Sequence, residues 1–273
     1  MAADLANRLP EFGHVAWVSE TGSTNADLLA QARSNADRSR PMPWLLGTHL
    51  QVGGRGRAGR PWSNDSGACL MFSCAFEVHM PGHRLPSLSP LAGLAACEAL
   101  RSLVGDAVAR EIRVKWPNDV QYGQKKLGGI LVETTRVSAN NSYVVVIGMG
   151  LNLSNASALS EKLGRQVADW SQVSEAADRP ATLTPAAIAS QLATYWTHML
   201  DAAKTTGFVD HRDRYVAVDA LHGHIVNVID QGSILFSGEA AGYDEHGRLQ
   251  VKTPDGLMPV SVGDVSVRVR TQA

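Results

Sequence analysis

The chain has 273 residues, 44% hydrophobic and 19% charged, with a formal net charge of −1. That balance suits a protein with a sizeable buried core, and it excludes both a disordered chain and a broad basic surface for nucleic acid. Cys69, Cys74 and Cys97 are odd in number and lack C-x-x-C spacing, no signal-like segment opens the chain and no apolar run reaches membrane-spanning length. A cytoplasmic protein without structural disulfides, metal or membrane partner is therefore expected.

In chain order, a strand is predicted at 14–18 and a helix over 25–33, with Leu28 and Leu29 on one face and Ser23-Thr24-Asn25 as caps. A polar patch at 34–40 precedes a strand at 44–52, which the glycine-rich loop joins to a strand at 69–78. Ser89-Pro90 opens a helix ending near Gly105. A strand at 112–116 then runs into Pro117-Asn118-Asp119-Val120, with Lys125-Lys126 in a short turn. Strands at 127–137 and 143–148 flank a turn at 139–142, and Thr184-Pro185 starts a long helix through Lys204. Beyond Asp219 short strands at 224–230, 233–242, 247–253, 256–262 and 265–270 alternate with glycine and aspartate turns and predict a small barrel-like β module. The expected division is 1–218 and 219–273. His222-Gly-His224 lacks acidic or cysteine company, so a structural reading is preferred to a metal site.

Gln51-Val-Gly-Gly-Arg-Gly-Arg-Ala-Gly-Arg-Pro-Trp62 holds four glycines and three arginines in twelve positions. Glycine lets backbone N–H groups approach a ligand and guanidinium neutralises negative charge, so the loop suits an anion. Gly54 to Gly59 satisfies G-x-G-x-x-G, with Glu77 near the ribose-acid distance, but a turn and a strand follow it where a dinucleotide fold needs a helix. His211-Arg212-Asp213 imitates a kinase catalytic loop, yet no V-A-I-K lysine and no D-F-G accompany it. No lysine-serine or lysine-threonine pair closes a Walker A loop.

Five motifs in order, Ser23-Thr-Asn25, Gly54-Arg-Gly-Arg-Ala-Gly-Arg-Pro-Trp62, Lys115-Trp-Pro-Asn-Asp119, Lys126-Leu-Gly-Gly-Ile-Leu-Val-Glu133 and Gly148-Met-Gly-Leu-Asn152, resemble those of biotin protein ligases. The resemblance implies an α/β (α+β) fold, a class II synthetase-like mixed sheet with flanking helices plus a small C-terminal SH3-like β-barrel. With 22 residues before Ser23 the chain resembles the ligase-only class, which lacks an N-terminal winged helix. The implied reaction activates biotin with ATP to biotinyl-5′-AMP and transfers biotin to a lysine of a biotin carboxyl carrier protein. Magnesium accompanies ATP with no direct protein ligand assigned, and no permanently bound cofactor is implied. A homodimer through the strands at 128–137 and 142–149 is one arrangement open to the family, and no nucleic-acid partner is implied.

Bringing a carboxylate against a phosphate requires cations between them. The resemblance assigns Lys126 as the principal cation, Arg57 to both reactants, and Asp119 either to the acceptor lysine or to a turn cap. Biotin would be held by Ser23, Thr24, Gln51, Gly54, Arg55, Arg57, Lys126, Gly129 and Leu131. ATP would meet Arg57, Arg60, Trp62, Asn118, Lys126 and Asn152, with Trp62 either stacking on adenine or packing the hairpin. Lys125 is read as a surface charge. A lipoate-type acyl-adenylate ligase and a non-catalytic regulator of the same fold are the competing readings.

Overall fold

In the computed structural model, which describes residues 1–34, 40–63, 65–138, 140–177, 183–263 and 265–270, the strands assemble into a seven-stranded mixed sheet and a five-stranded antiparallel sheet. The expected polar patch at 34–40, the turn at 139–142 and the links through residues 64 and 264 fall partly outside those residues.

The first half of the chain forms α1 (Ala2–Arg8), β1 (His14–Thr21), α2 (Thr24–Arg33), β2 (Trp44–Gln51), β3 (Cys69–His79), α3 (Leu88–Arg101) and α4 (Asp106–Ala109). Then come β4 (Ile112–Lys115), β5 (Asp119–Tyr122), β6 (Lys125–Arg136) and β7 (Ser142–Asn152). The large sheet runs β1-β2-β3-β7-β6-β5-β4; β1 and β2 are parallel and the other neighbours antiparallel. Helices α5 (Ala156–Leu163), α6 (Trp170–Ala176), α7 (Pro185–Thr206) and α8 (Arg212–Val218) lead to β8 (Ile225–Asp230), β9 (Ser233–Tyr243), β10 (Leu249–Thr253), β11 (Gly256–Val260) and β12 (Ser266–Val269).

Strand β3 is apolar almost throughout because both its faces are covered. On one face Phe72 meets Trp196 of α7 at 5.5 Å between ring centroids, and the Trp196 indole donates to the carbonyl of Ala92 in α3 at 3.2 Å. On the other, Leu28 and Leu29 of α2 pack with Trp44, Ala75 and Val146. Each such side chain contributes roughly 1.5–3 kcal/mol when fully buried.

Three expectations are corrected. Lys125 and Lys126 begin β6, because the turn they were assigned is made by Gly123, which has φ +57°, and Gln124. The helix at 89–105 stops at Arg101, and α4 starts after Gly105. Helices α1, α5, α6 and α8 were not predicted; α1, α6 and α8 have 7 residues each and α5 has 8, too few for periodicity to show. The small β module forms as expected: among the described residues its sheet runs β11-β10-β9-β8-β12, antiparallel throughout, without a β11–β12 pairing to close it.

The two sheets meet at Asp219, where the amide of Ala220 donates to the carbonyl of Val114 at 2.8 Å. The buried carboxylate of Asp219 accepts from Tyr243 Oη at 2.6 Å and from the amide of Leu221 at 2.9 Å. Desolvation outweighs those bonds and pushes its pKa up to about 6. A carboxyl raised in the folded state binds its proton more readily there than when unfolded, so this contribution is complete at low pH and is lost as pH rises through about 6. The full effect is about 3 kcal/mol, of which roughly 1–2 kcal/mol lies between pH 5 and pH 8. Denaturant melts at those two pH values should show that loss in the parent and a flatter profile in Asp219→Asn; parallel profiles would refute it.

Candidate active site

A cleft of about 240 Å³ opens between the N-terminus of α2, the loop after β2, the β4–β5 turn and β12 of the small sheet. Ser23 caps α2, its hydroxyl accepting from the amide of Ala26 at 3.4 Å, and this places Thr24 and Asn25 at the cleft. Gln51 Oε1 accepts from Thr24 N at 2.9 Å and Thr24 Oγ1 at 3.2 Å, and Thr24 Oγ1 lies 2.6 Å from Ser73 Oγ. A polar wall without charge results, suited to a neutral head group that both donates and accepts.

The glycine-rich loop folds into a small hairpin. Trp62 N donates to Gly54 O at 2.9 Å and Gly56 N to Arg60 O at 2.7 Å, and the turn needs positive φ at Ala58 and Gly59. Arg55 pairs with Glu133 at 3.1 Å, while Arg57 donates to Asn118 Oδ1 at 3.3 Å and to the carbonyl of Gly263. Arg57 thus spans from the large sheet to the small one.

Gly129 and Gly150 lie opposite each other across β6 and β7, and the Trp62 indole occupies the slot they leave. A Cβ at Gly150 would come within 2.5 Å of that ring, and one at Gly129 within 3.2 Å. Lys126 Nζ stands 5.5 Å from the ring centroid and 2.6 Å from Asp119 Oδ1. Asp119 is the resting counter-ion of Lys126, whose side chain is only 19% exposed.

Three further cations line the cleft that the assigned site residues did not include: Lys115, Arg165 and Arg268. Burial holds the Lys115 ammonium below the ordinary lysine value, and Lys126, Arg268 and Arg165 add to this against the opposing pull of Asp119. Such a concentration of like charge, offset in part by Asp119, attracts an anion into the cleft. Lys115 stood in plain view inside the Lys-Trp-Pro-Asn-Asp motif; Arg165 and Arg268 carry no local signal.

Most of the predicted residues therefore gather here: Ser23, Thr24, Gln51, Arg55, Arg57, Arg60, Trp62, Asn118, Asp119, Lys126, Gly129 and Leu131 all line one cleft. Two do not. Gly54 gives its carbonyl to the loop hairpin, and its α-carbon side is filled by Gln51 and Trp62. Asn152, 2% exposed, donates to the carbonyls of Ala168 at 2.9 Å and Lys126 at 3.4 Å, so its amide is spent on fixing the backbone that carries Lys126. Both exposed histidines of His222-Gly-His224 lie at a turn closed by His224 N to Leu221 O at 2.9 Å.

The profile of the Biotin/lipoate A/B protein ligase family matches residues 23–152, and that of the Biotin protein ligase C terminal domain matches residues 221–268. A biotin–[acetyl-CoA-carboxylase] ligase of Mycobacterium tuberculosis is 32% identical over 249 residues, 91% of this chain and 86% of the relative. The corresponding ligase of Paracoccus denitrificans is 29% identical over 91% of this chain and 98% of its own. The biotin protein ligase of Aquifex aeolicus, solved in complex with biotin and ATP, superposes with a TM-score of 0.70 at 22% identity, covering 93% of this chain and 98% of that one, and shares its fold. With its ordered motifs converging on one cleft and a relative of this identity matched over nearly its whole length, the chain belongs to the biotin protein ligase family.

Proposed function

We propose that the protein is an ATP-dependent ligase that first joins the biotin carboxylate to the α-phosphate of ATP, releasing pyrophosphate, and then transfers the biotinyl group to a lysine, releasing AMP. The acceptor is a lysine of a biotin carboxyl carrier domain of acetyl-CoA carboxylase, the class of substrate named for the M. tuberculosis relative. The observation that carries this reading is the meeting of Arg55, Arg57 and Lys126 with the neutral Thr24–Gln51–Ser73 wall in one cleft.

The division of labour follows from the chemistry of each group. The neutral wall takes the ureido ring, while Gly129 and Leu131 flank the tail. Lys126, Arg55 and Arg57 then reduce the repulsion between carboxylate and phosphate, about 4 kcal/mol for unit charges 4 Å apart at an effective dielectric of 20. Lys115, Arg165 and Arg268 extend the positive field along the cleft toward the small sheet, where the leaving pyrophosphate carries its charge away. Magnesium arrives as counter-ion of the triphosphate and is part of that substrate. In the second step the acceptor amine must be neutral to attack, and Asp119, freed when Lys126 turns to phosphate, is the carboxylate placed to take its proton.

Among the described residues no helix is long and apolar enough to cross a membrane, and a cytoplasmic location is part of the proposal. If two copies associate through the strands at 128–137 and 142–149, the contact would use β6 beyond Gly129, where its pairing with β5 ends, because β7 is already paired with β3 and β6 on either side.

The test is pyrophosphate exchange with biotin and with lipoate, followed by mass spectrometry of a carrier domain incubated with protein, ATP, magnesium and biotin. Biotin should stimulate exchange and add one biotinyl group to a single lysine. Stimulation by lipoate alone would establish the rival specificity, and exchange with neither acid would establish a non-catalytic role.

A further inference from the structure

The polar wall does more than offer mixed hydrogen bonding; its direction is set from behind. Asn25, 4% exposed, lies between the wall and β6, and its Nδ2 faces two groups that can only accept: Glu133 Oε2 at 2.9 Å and the carbonyl of Leu131 at 3.2 Å. The amide is thereby oriented, and Oδ1 is left to accept from Ser73 Oγ at 2.6 Å. With its single hydrogen committed to Asn25, fully buried Ser73 has only lone pairs to turn toward Thr24. The Thr24 hydroxyl hydrogen then has its acceptors inside the wall, Ser73 Oγ at 2.6 Å or Gln51 Oε1 at 3.2 Å. What Thr24 presents to the cleft is an acceptor.

The space for this device is made by Gly148. A Cβ there would come within 2.1 Å of Asn25 Oδ1, so the amide lies where any other residue of β7 would put a side chain. Glu133 has its second oxygen on Arg55, which ties the oriented amide to the glycine-rich loop as well.

The geometry points to Asn25 as a specificity-determining positioning residue: held by Glu133 and Leu131, it polarises the Ser73–Thr24 relay so that the wall selects a head group donating N–H at Thr24. This rests on the reading that the cleft activates biotin, whose ureido ring supplies such donors. Asn25 does not take part in bond making; it acts through Ser73 and Thr24. Without its amide, Ser73 would turn its hydrogen onto Thr24 and occupy the lone pair that the ligand needs.

Biotin-dependent pyrophosphate exchange is measured first on the parent protein, and its absence there would defeat the biotin reading and not this one. Given parental activity, Asn25→Leu should raise KM for biotin about tenfold, the scale of one lost directed hydrogen bond, with kcat within about threefold. Its preference for biotin over the two analogues in which one or other ureido N–H is replaced by oxygen should shrink by a similar factor. Asn25→Asp supplies the second arm. Protonated, its carboxyl donates its one hydrogen to Glu133 or to Leu131 and still accepts from Ser73; ionised, it faces the Glu133 carboxylate, itself paired with Arg55, and the Leu131 carbonyl. Its KM for biotin should therefore fall toward the parental value as pH is lowered from 8 to 6, while the parent shows no such trend. Parental KM and analogue preference in Asn25→Leu, or an Asn25→Asp profile parallel to that of the parent, would overturn the assignment.

Discussion

Lys126→Ala is expected to slow biotin-dependent pyrophosphate exchange by roughly 10²–10³-fold, the range found when one pre-oriented charge-stabilising donor is removed from an active site. The ammonium is placed by three restraints: Asp119 at 2.6 Å, the Trp62 ring at 5.5 Å and a backbone held by Asn152 and Ala168. Its anchor points are set before substrate binds, so the reorganisation left is the turn of the ammonium from Asp119 to phosphate. Asp119 keeps 28% of its side chain in water, and losing its partner should cost little stability. The melting temperature of the variant should accordingly stay within a few degrees of the parent. An exchange rate equal to the parent's would remove Lys126 from the chemistry and leave the arginines to account for it.

Gly150→Val is expected to lower kcat/KM for ATP by at least about tenfold and to speed escape of the adenylate. The mechanism is steric: even a Cβ would lie 2.5 Å from the Trp62 indole, and a branched side chain cannot share the slot. Expulsion of Trp62 takes with it the hairpin that carries Arg55 and Arg57, because Trp62 N closes that hairpin on Gly54 O. The sheet itself tolerates valine at a paired β position. A variant that folds with parental melting behaviour yet loses ATP turnover and releases intermediate would support this account. If it binds ATP and retains the adenylate as the parent does, Trp62 is packing alone and takes no part in the site.

The folding pattern was legible wherever a long period repeats. The run Cys69–His79, the β-branched Tyr143–Ile147 and the Thr184-Pro185 start of α7 announce themselves, because burial on both faces or on one stripe imposes a composition on every turn of the chain. Short elements such as α6 were missed although Asp169 and Gln172 form a capping box, since a helix of 7 residues carries too few apolar positions to stand out. The placement of Lys125 and Lys126 in a turn failed for a related reason: two adjacent lysines next to Gly123 and Gln124 read as part of that turn, whereas pairing with β5 makes both the start of β6, with Lys125 exposed and Lys126 in the cleft as assigned.

By itself, then, the sequence determined the order of the long elements, the reactive residue types and, through five spaced motifs, the family. Those are properties of neighbours along the chain, which local propensity and motif spacing record directly. Tertiary structure alone decided which of those groups meet. Arg165 and Arg268 join Lys115 from segments 50 and 153 residues away, Asn25 finds Glu133 across 108 residues, and Asn152 is drawn off the cleft to hold the strand of Lys126. No local rule contains such pairings, because they depend on the register of whole strands and on which side chain wins each buried hydrogen bond.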